Sequence, residues 1–450
     1  MPLTNPEKIA LVIPPYSKGN IVSDYMAGLG LKVIGSESCL PPLETLYIAT
    51  ILDQNKFQVK IIDAAAEGLD LDKVTSLLKD FKPDKIFIDI RYSSFINDLK
   101  IASGLKSGFP FVAIFGPMAH FFANEINERY DIDLVVKGNP AVEIPKILGI
   151  KEPGQNLDNL PIPKRSLLSK EKYFFRTLPK KPFTTVITSQ GCPYGCIYCP
   201  YFAIQGKLVN KRAPESVIRE LIQIREEGYR SVLFRDPIFT LDRDHVTSIC
   251  EGMIKNKLGL EWWCETRADK LDQEMLSLMK RAGLKGINFG VESGDEEVAR
   301  LAGRKSDEKE KIKETIKVSR RLGISTKAFF ILGLPGETRE TMERTIKSAV
   351  ELDPDYVVFM LASPFPGTQL FDLFLKAHSR DVFFKEEDIY YVPPGLTLDE
   401  LKRHQKTGIL RFYLRPRHIL KEIKFLCNIA NAREALAYWK WMRASNFKEA

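Results

Sequence analysis

The chain of 450 residues has no run of roughly 18 apolar residues, the length needed to cross a bilayer. The N-terminal apolar stretch at residues 9–13 is too short for the core of a signal peptide. Cysteine is scarce, at 7 residues, which excludes a small disulfide-stapled scaffold. The hydrophobic content of 44% excludes a disordered chain. Together these features predict a soluble, cytoplasmic protein of two or three packed units.

The excess of positive over negative charge is confined to the C-terminal end. Residues 401–450 hold twelve Lys or Arg and three Asp or Glu, a balance of +9 against +8 for the whole chain. A nucleic-acid-binding body is therefore not expected. Aromatic residues such as Trp439 and Trp441 interleave this basic segment, a composition that suits the headgroup region of an anionic membrane. The alternative is a solvated basic helix.

Two alternations of strand and helix are predicted. In residues 1–150, five short apolar runs are separated by amphipathic stretches at 43–53 and 71–81, a pattern typical of a doubly wound α/β domain with a parallel sheet. The runs lie at residues 9–13, 59–62, 85–88, 111–115 and 134–136. Residues 151–182, with Pro161, Pro163 and Pro179, are predicted to form an extended connector.

The second alternation predicts a partial barrel over residues 183–385. Six βα units are two short of a closed eight-stranded barrel. The predicted strands are residues 184–188, 231–235, 261–265, 286–291, 326–332 and 356–361. Residues 386–450 are predicted to form a helical C-terminal segment, which begins with a capping box at Thr397 to Glu400 and is interrupted by Pro416.

One cluster of cysteines follows the first strand of this second unit: Cys192, Cys196 and Cys199, in a loop rich in Gly and Pro. A structural zinc normally needs a fourth ligand, and the closest histidine in sequence is His245. Three thiolates with one coordination position open suit a [4Fe–4S] cluster. Zinc and buried free thiols are the alternatives.

The spacing Cys-x3-Cys-x2-Cys, with Tyr198 before the last cysteine, resembles the radical S-adenosylmethionine (SAM) superfamily. The resemblance implies that the amino and carboxylate groups of SAM chelate the open iron. It also implies that an electron from the cluster cleaves SAM to a 5′-deoxyadenosyl radical. Tyr198 would then lie near the adenine.

Further motifs at predicted strand ends match the same family in order. Asp236 lies in the segment that faces the methionyl amino group in the family, and the segment around Gly333 approaches the adenine. Glu265 is a candidate acceptor for ribose hydroxyls, and Arg267 a candidate partner for a carboxylate. The remaining candidates at strand ends are Glu292, Ser293 and Pro364. For each residue alone, a salt bridge, helix cap or turn is the alternative.

The N-terminal unit resembles the cobalamin-binding domain of a radical SAM subgroup that includes anaerobic magnesium-protoporphyrin ester cyclase and hopanoid-biosynthesis enzymes. Two features depart from that pattern. No Asp-x-His-x-x-Gly occurs, and relatives usually show Gly-Gly-Pro-His and Gly-Glu-Gly-Glu where this chain has residues 115–120 (FGPMAH) and 138–141 (GNPA). The alternative to cobalamin binding is an α/β domain that only shapes the substrate cavity.

The resemblance therefore implies an enzyme that removes hydrogen from an unactivated carbon, with methylation of a small-molecule or lipid-like substrate as the leading outcome. The alternatives are a cobalamin-free cyclase, oxidase or rearrangement enzyme, and a non-catalytic corrinoid- or metal-binding sensor. The expected partners are an electron donor such as flavodoxin or ferredoxin, no nucleic acid, and an inner membrane face reached through residues 401–450.

Overall fold

The computed structural model describes residues 6–15, 38–151, 156–304 and 308–420. The aromatic residues of the tail beyond residue 420 lie outside this part of the chain, as does Cys427. None of the described helices is both long and apolar enough to span a bilayer.

The N-terminal unit is built on a parallel five-stranded sheet. Its strands are β1 (Lys8–Ile13), β3 (Gln58–Asp63), β4 (Lys85–Asp89), β5 (Val112–Phe115) and β6 (Leu134–Val135). The two-residue strand β2 (Ser38–Cys39), between β1 and β3 in the chain, is not part of this sheet. Its helices are α1 (Leu43–Gln54), α2 (Ala64–Glu67), α3 (Leu71–Phe81), α4 (Phe95–Lys106), α5 (Pro117–Phe121), α6 (Ala123–Arg129) and α7 (Pro140–Ile147).

The strand order β3-β1-β4-β5-β6 places helices on both faces of this sheet. Helices α1 and α7 bury one face, with Tyr47 and Ile144 in that core. Helices α3 and α4 bury the other face, with Leu78 and Leu99 in that core. The predicted doubly wound domain is confirmed, and the two halves of the order meet between β1 and β4, where ligands of such folds bind.

The second unit is an open barrel of six parallel strands in the order β15-β14-β13-β12-β11-β8. These strands are β8 (Phe183–Val186), β11 (Ser231–Phe234), β12 (Glu261–Thr266), β13 (Leu284–Glu292), β14 (Ser325–Leu332) and β15 (Tyr356–Leu361). The helices are α8 (Tyr201–Gln205), α9 (Pro214–Glu226), α10 (Arg243–Lys255), α11 (Gln273–Arg281), α12 (Glu296–Leu301), α13 (Glu308–Arg321), α14 (Arg339–Leu352), α15 (Gln369–Leu375) and α16 (Leu398–Tyr413). The predicted partial barrel is confirmed.

Four strands of two residues each were not predicted. They are β2, β7 (Phe174–Phe175), β9 (Ser189–Gln190) and β10 (Asn210–Lys211). β2 pairs with β7, and β9 pairs with β10, both antiparallel. Such short segments carry no periodic signal, so only their partners define them.

The two faces of the barrel sheet differ. Outward side chains such as Phe234, Cys264 and Phe330 pack against the surrounding helices in one core. At the N-terminal end of the inner face, Phe183, Leu233 and Trp263 pack against Phe175 and Tyr173 from the connector and Cys39 from β2. This second cluster closes the bottom of the barrel.

Aromatic side chains join the barrel to the N-terminal unit. The Phe365 ring, after β15, lies 4.5 Å from the Tyr92 ring, which follows β4. Arg380 forms an ion pair with Glu125 and donates to the carbonyl oxygen of Phe121 at 2.6 Å. The carboxyl ends of both sheets are therefore held next to each other.

The connector is fixed by a buried ionic triad. Glu220 on α9 is completely buried, and its two carboxylate oxygens lie 2.5 Å from Arg165 Nη2 and 2.5 Å from Arg212 Nη1. Burial alone would raise the pKa of Glu220, but the two guanidiniums lower it. Arg165 lies in the connector, so the triad ties that segment to the barrel.

The C-terminal helix begins with the predicted capping box. The Thr397 side chain accepts from the backbone of Glu400, and the Glu400 carboxylate accepts from the backbone of Thr397. The helix α16 ends at Tyr413, and residues 416–420 are helical again, so the interruption predicted at Pro416 is observed.

Gly286 on β13 gives a test of the inner packing. A Cβ at this position would overlap the indole ring of Trp263, which is buried and is held by a 2.7 Å bond from its Nε1 to Asn288 Oδ1. We expect Gly286→Ala to lower stability by about 1–3 kcal/mol, because the ring cannot yield. Thermal unfolding of the two proteins measures this.

The matched control is Gly104→Ala on α4, where a Cβ would meet nothing within 4 Å. This variant is expected to be neutral or more stable by about 0.5–1 kcal/mol, since alanine favours a helix. Equal unfolding midpoints for Gly286→Ala and the unaltered protein would show that the inner face is loosely packed.

Candidate functional site

The cysteine loop follows β8 and β9 and is anchored at its start. Gly191 has φ +86°, and a Cβ there would overlap the backbone of Leu208. The backbone N–H of Cys192 donates to the carbonyl oxygen of Gly206 at 3.1 Å. Only glycine allows this close approach, which holds the first cysteine against the loop between α8 and β10.

The middle of the loop is held by two other strand-end segments. The N–H of Ile197 donates to the carbonyl oxygen of Ala302 at 3.3 Å, and the carbonyl oxygen of Ile197 accepts from Leu370 at 2.9 Å. A Cβ at Gly303 would lie 3.2 Å from Cys196 Cα. The loop is therefore positioned by backbone contacts with the regions after α12 and before α15.

The three thiols are close enough to influence one another electrostatically. Burial raises the pKa of Cys192 and Cys199, and the neighbouring cysteines raise it further. Arg267 and Arg304 act in the opposite direction on Cys192. Without a metal, the Cys192 and Cys199 thiols are therefore protonated and unreactive near neutral pH.

The donor set fits an iron–sulfur cluster. Each thiolate of a cubane binds a different iron, so its ligands do not converge on one point. Among the described residues, no three Cys, His, Asp or Glu side chains are grouped around a single position suited to one ion. Cationic iron would supply the charge that stabilises three buried thiolates.

Tyr198 and Glu292 lie together beside the cysteines, as predicted for residues of one site. Burial raises the pKa of Tyr198, and Glu292, Cys196 and Cys199 contribute to the shift. Glu292 has φ +68°, at a bulge between β13 and β14. A Cβ at Gly290 would overlap the Glu292 carboxylate, so glycine lets this side chain fold back over its own strand.

Gly333 and Pro364 belong to the same end of the barrel. Tyr198 packs against a cluster that includes Leu334, which follows Gly333, and Ala362, which lies two residues before Pro364. The N–H of Gly333 donates to the Glu337 carboxylate, which also accepts from Leu334 at 3.1 Å. Burial raises the pKa of Glu337 to about 7.

Two of the predicted site residues, Asp236 and Ser293, form hydrogen bonds with neighbouring protein groups. Asp236 is fully buried, and its Oδ1 accepts from the backbone and hydroxyl of Thr188 and from the Ser189 hydroxyl, at 2.7–3.0 Å. The Ser293 hydroxyl accepts from the backbone N–H of Asp295 at 3.1 Å and contacts Thr345. Asp236 thus holds the backbone that leads into the cysteine loop, and Ser293 joins α12 to α14.

Arg267 and Glu265 lie at the end of β12. The Arg267 guanidinium stacks 4.1 Å from the Tyr194 ring and lies 2.9 Å from Asp269 Oδ1. The Tyr201 hydroxyl, just after the cysteines, donates to Glu265 Oε2 at 3.3 Å. Arg267 is thus near the cysteine loop, whereas Glu265 lies deeper on the inner face.

Sequence reasoning missed Arg304. Its guanidinium donates to the carbonyl oxygen of Gly290 at 2.6 Å and lies within electrostatic range of Cys192 and Tyr198. It follows Gly303 in a surface-like stretch of sequence. No spacing marked it, because its position depends on the close contact of Gly303 with Cys196.

The known proteins that this chain resembles agree with this geometry. The Radical SAM superfamily model matches residues 186–349. An uncharacterized methyltransferase of Pyrococcus horikoshii is 30% identical, over 92% of this chain and 94% of its own length. The chain belongs to the radical SAM superfamily. As a radical SAM enzyme it uses a [4Fe–4S] cluster and SAM, and it requires an external reductant.

One further relative in sequence and one solved structure are also similar to this chain. The cytidylyl-2-hydroxyethylphosphonate methyltransferase of Streptomyces wedmorensis is 25% identical, over 78% of this chain and 80% of its own. The radical SAM methyltransferase TsrM of Kitasatospora setae, solved with cobalamin and a [4Fe–4S] cluster bound, aligns with a TM-score of 0.61 and 16% identity, covering 81% of this chain and 74% of that one. This second likeness shows a shared fold.

The cysteine assignment gives a direct test. Replacing Cys196 by Ala is expected to abolish the broad visible absorption of the reconstituted radical SAM cluster, because a cubane does not persist with two of its three protein ligands. Cys250→Ala, at a buried cysteine on α10, is the control and is expected to keep full absorption and iron content. A full iron and sulfide complement in Cys196→Ala protein would refute the assignment.

Proposed function

We propose that this radical SAM enzyme is a methyltransferase that acts on an unactivated carbon of a small-molecule or lipid-like substrate. Cys192, Cys196 and Cys199 hold the cluster, and Tyr198, Arg267, Glu292, Gly333 and Pro364 surround the SAM site. The observation that carries the proposal is the buried loop of three thiols against Tyr198 and Glu292. Bound SAM and reduced cluster supply the 5′-deoxyadenosyl radical.

The residues of the chain bind, orient and exclude water. The Glu292 carboxylate, folded over Gly290, is placed to accept from an ammonium or a hydroxyl group. The Arg267 guanidinium, stacked on Tyr194, is placed to bind a carboxylate through its planar fork. Burial of Cys192 and Cys196 keeps water away from the radical chemistry.

Cobalamin binding at the carboxyl edge of the N-terminal sheet is supported by two glycines. Gly116 and Gly138, after β5 and β6, have φ +108° and +90°. A Cβ at Gly116 would lie 3.0 Å from Asp89 and Ile90, so glycine lets the loop after β5 lie close against the end of β4. His120 Nδ1 accepts from the N–H of Gly138 at 3.0 Å, which joins the two loops. Bound cobalamin would supply the methyl group.

The methyltransferase outcome also fits two of the relatives, which are named as methyltransferases and align over most of this chain. A cobalamin-free cyclase, oxidase or rearrangement enzyme would need the same cysteine site without the sheet-edge glycines. A non-catalytic sensor would need the cysteines but no residues around SAM.

The experiment uses the full chain, reconstituted anaerobically with iron and sulfide and incubated with SAM and dithionite. We expect 5′-deoxyadenosine to be released and added cobalamin to bind at about one per chain, seen as a shifted corrinoid spectrum. Release without cobalamin binding would favour the cobalamin-free enzyme. A full cluster without 5′-deoxyadenosine would favour the sensor.

The reductant is proposed to be flavodoxin or ferredoxin, docking beside the cysteine loop. Leu208 is 86% exposed and lies two residues from Gly206, whose carbonyl oxygen binds Cys192. An apolar side chain next to Lys207, so close to the cluster ligands, suits a small acidic electron carrier. A second arm of the same experiment replaces dithionite by reduced flavodoxin. In this arm, the Leu208→Ser variant is expected to release 5′-deoxyadenosine more slowly than the unaltered protein.

A peripheral membrane contact is proposed for the C-terminal segment. Leu410 and Leu414, one turn apart near the end of α16, are 46% and 64% exposed, and Leu420 is 58% exposed. They precede the basic, aromatic residues of the tail. An apolar strip next to many cations suits the surface of an anionic bilayer, where each Lys or Arg contributes about 1 kcal/mol.

Sedimentation with liposomes tests this contact. The full chain is expected to bind phosphatidylserine-containing vesicles at low salt, and Leu414→Ser with Leu420→Ser is expected to weaken the binding several-fold. Leu208→Ser, at an exposed leucine on the barrel, is the control and should bind as the unaltered protein does. If the unaltered chain does not sediment with anionic vesicles, the membrane contact is wrong and the alternative, a solvated basic helix, is favoured.

A further inference from the structure

A row of polar side chains crosses the inner face of the barrel sheet. Glu265 on β12 is in register with Asn288 on β13, Asn288 with Lys327 on β14, and Lys327 with Tyr356 on β15. In-register residues of parallel strands point to the same side of a sheet. The neighbours Cys264, Ile287, Ala328 and Val357 point outward into the helix-covered core. The row therefore lies inside the barrel.

Lys327 is an unusual member of this row. Its Nζ lies 4.9 Å from the ring centre of Phe175, 5.8 Å from that of Trp263 and 5.9 Å from that of Tyr356. Within the described part of the chain, no carboxylate lies within ion-pair distance of this ammonium. Burial lowers the pKa of Lys327 to about 8, with Glu265 opposing this shift and the nearby Arg176 adding to it. Inner lysines without a counter-charge are rare.

The charges along the row are unequal. Glu265 lies two strands from Lys327, about 10 Å at the usual strand spacing. Glu265 accepts from Tyr201 and is close enough to Arg235 for that guanidinium to lower its pKa. At the other end, Lys327 shares its surroundings with Arg176. The Lys327 ammonium therefore lies two strands away from the one carboxylate of the row.

Partly exposed residues of the inner face lie between Lys327 and the cysteine loop. Lys327 and Phe329 on β14 are partly exposed, whereas the alternate residues Thr326, Ala328 and Phe330 are buried. Gly290 on β13 and Met360 on β15 are partly exposed as well. Four residues of strand, about 13 Å, separate Asn288 from Glu292 beside the cysteines. Met360 packs in the same cluster as Tyr198, so these partly exposed residues lie on the inner face between Lys327 and the cysteine loop.

We propose that Lys327 is the anchor for an anionic group, a carboxylate or a phosphate, at the far end of the substrate. This inference deepens the proposed function, on which it rests, by naming the substrate class: an amphiphilic acid whose apolar body lies along Phe329 and Met360 while its reacting carbon faces the cysteine loop. A bound anion would give the ammonium the charge-assisted hydrogen bond that it lacks, while the three rings shield the pair from water.

The test is calorimetry on the full reconstituted chain with four probes that share a hexyl chain: heptanoate, hexyl phosphate, 1-hexanol and hexylammonium. We expect one or both acids to bind at least tenfold more tightly than the alcohol or the amine. The acid that binds with the higher affinity identifies the anion as a carboxylate or a phosphate. Lys327→Met is expected to weaken acid binding at least tenfold, since a hydrogen bond to a charged group is lost. Lys327→Arg, which keeps the charge, is expected to retain it.

Lys347→Met, at an exposed lysine on α14, is the matched control and should bind the acids as the unaltered chain does. Equal acid binding in Lys327→Met protein, tighter binding of hexylammonium, or no binding of either acid at millimolar concentration would overturn the proposal. The four-probe comparison on the unaltered chain decides the matter even if a variant misfolds. Release of 5′-deoxyadenosine is scored separately, so a failure of the proposed function is distinguished from a failure of the anion site.

Discussion

Glu220 lies between two guanidiniums, and the position of the cysteine loop depends on this contact. Arg165 also donates to the carbonyl oxygen of Thr185 on β8, and Arg212 donates to that of Ile187, directly after this strand. The backbone N–H of Arg212 in turn donates to the carbonyl oxygen of Thr188. Both ends of the segment that carries the three cysteines are thus attached to one carboxylate. Removing a partner from such a group leaves a buried charge, at a cost of about 3–5 kcal/mol.

The chemistry of the protein follows from the difference between the two faces of the barrel sheet. Helices cover the outer face completely, so its side chains are apolar and closely packed. Trp263, Phe175 and their neighbours close the inner face at its base. Above this base the strands present Glu265 and Lys327 to an interior space, and above these lie Glu292 and the cysteine loop. The packing therefore stabilises the fold from one side and leaves the other side for ligands.

The N-terminal unit keeps the fold of its apparent relatives while its loops differ. The two loops that depart from the usual glycine-rich and acidic motifs are joined through His120 and Gly138. Gly116 has a positive φ and lies against Asp89 and Ile90. The departures in sequence are thus accompanied by a contact between the two loops and by close packing of the first loop on the end of β4.

The sequence alone determined the two α/β units, most strand positions to within one or two residues, and the three cysteines, because these features depend on local hydrophobic periodicity and on short spacing. Capping residues such as Thr397 and Glu400 were readable for the same reason. Only the tertiary structure decided that Asp236 supports the cysteine loop, that Arg304 approaches Cys192, and that Lys327 faces Trp263 inside the barrel. Each of these contacts joins residues far apart in the chain, and their meeting depends on strand order, register and glycine contacts that no local pattern encodes.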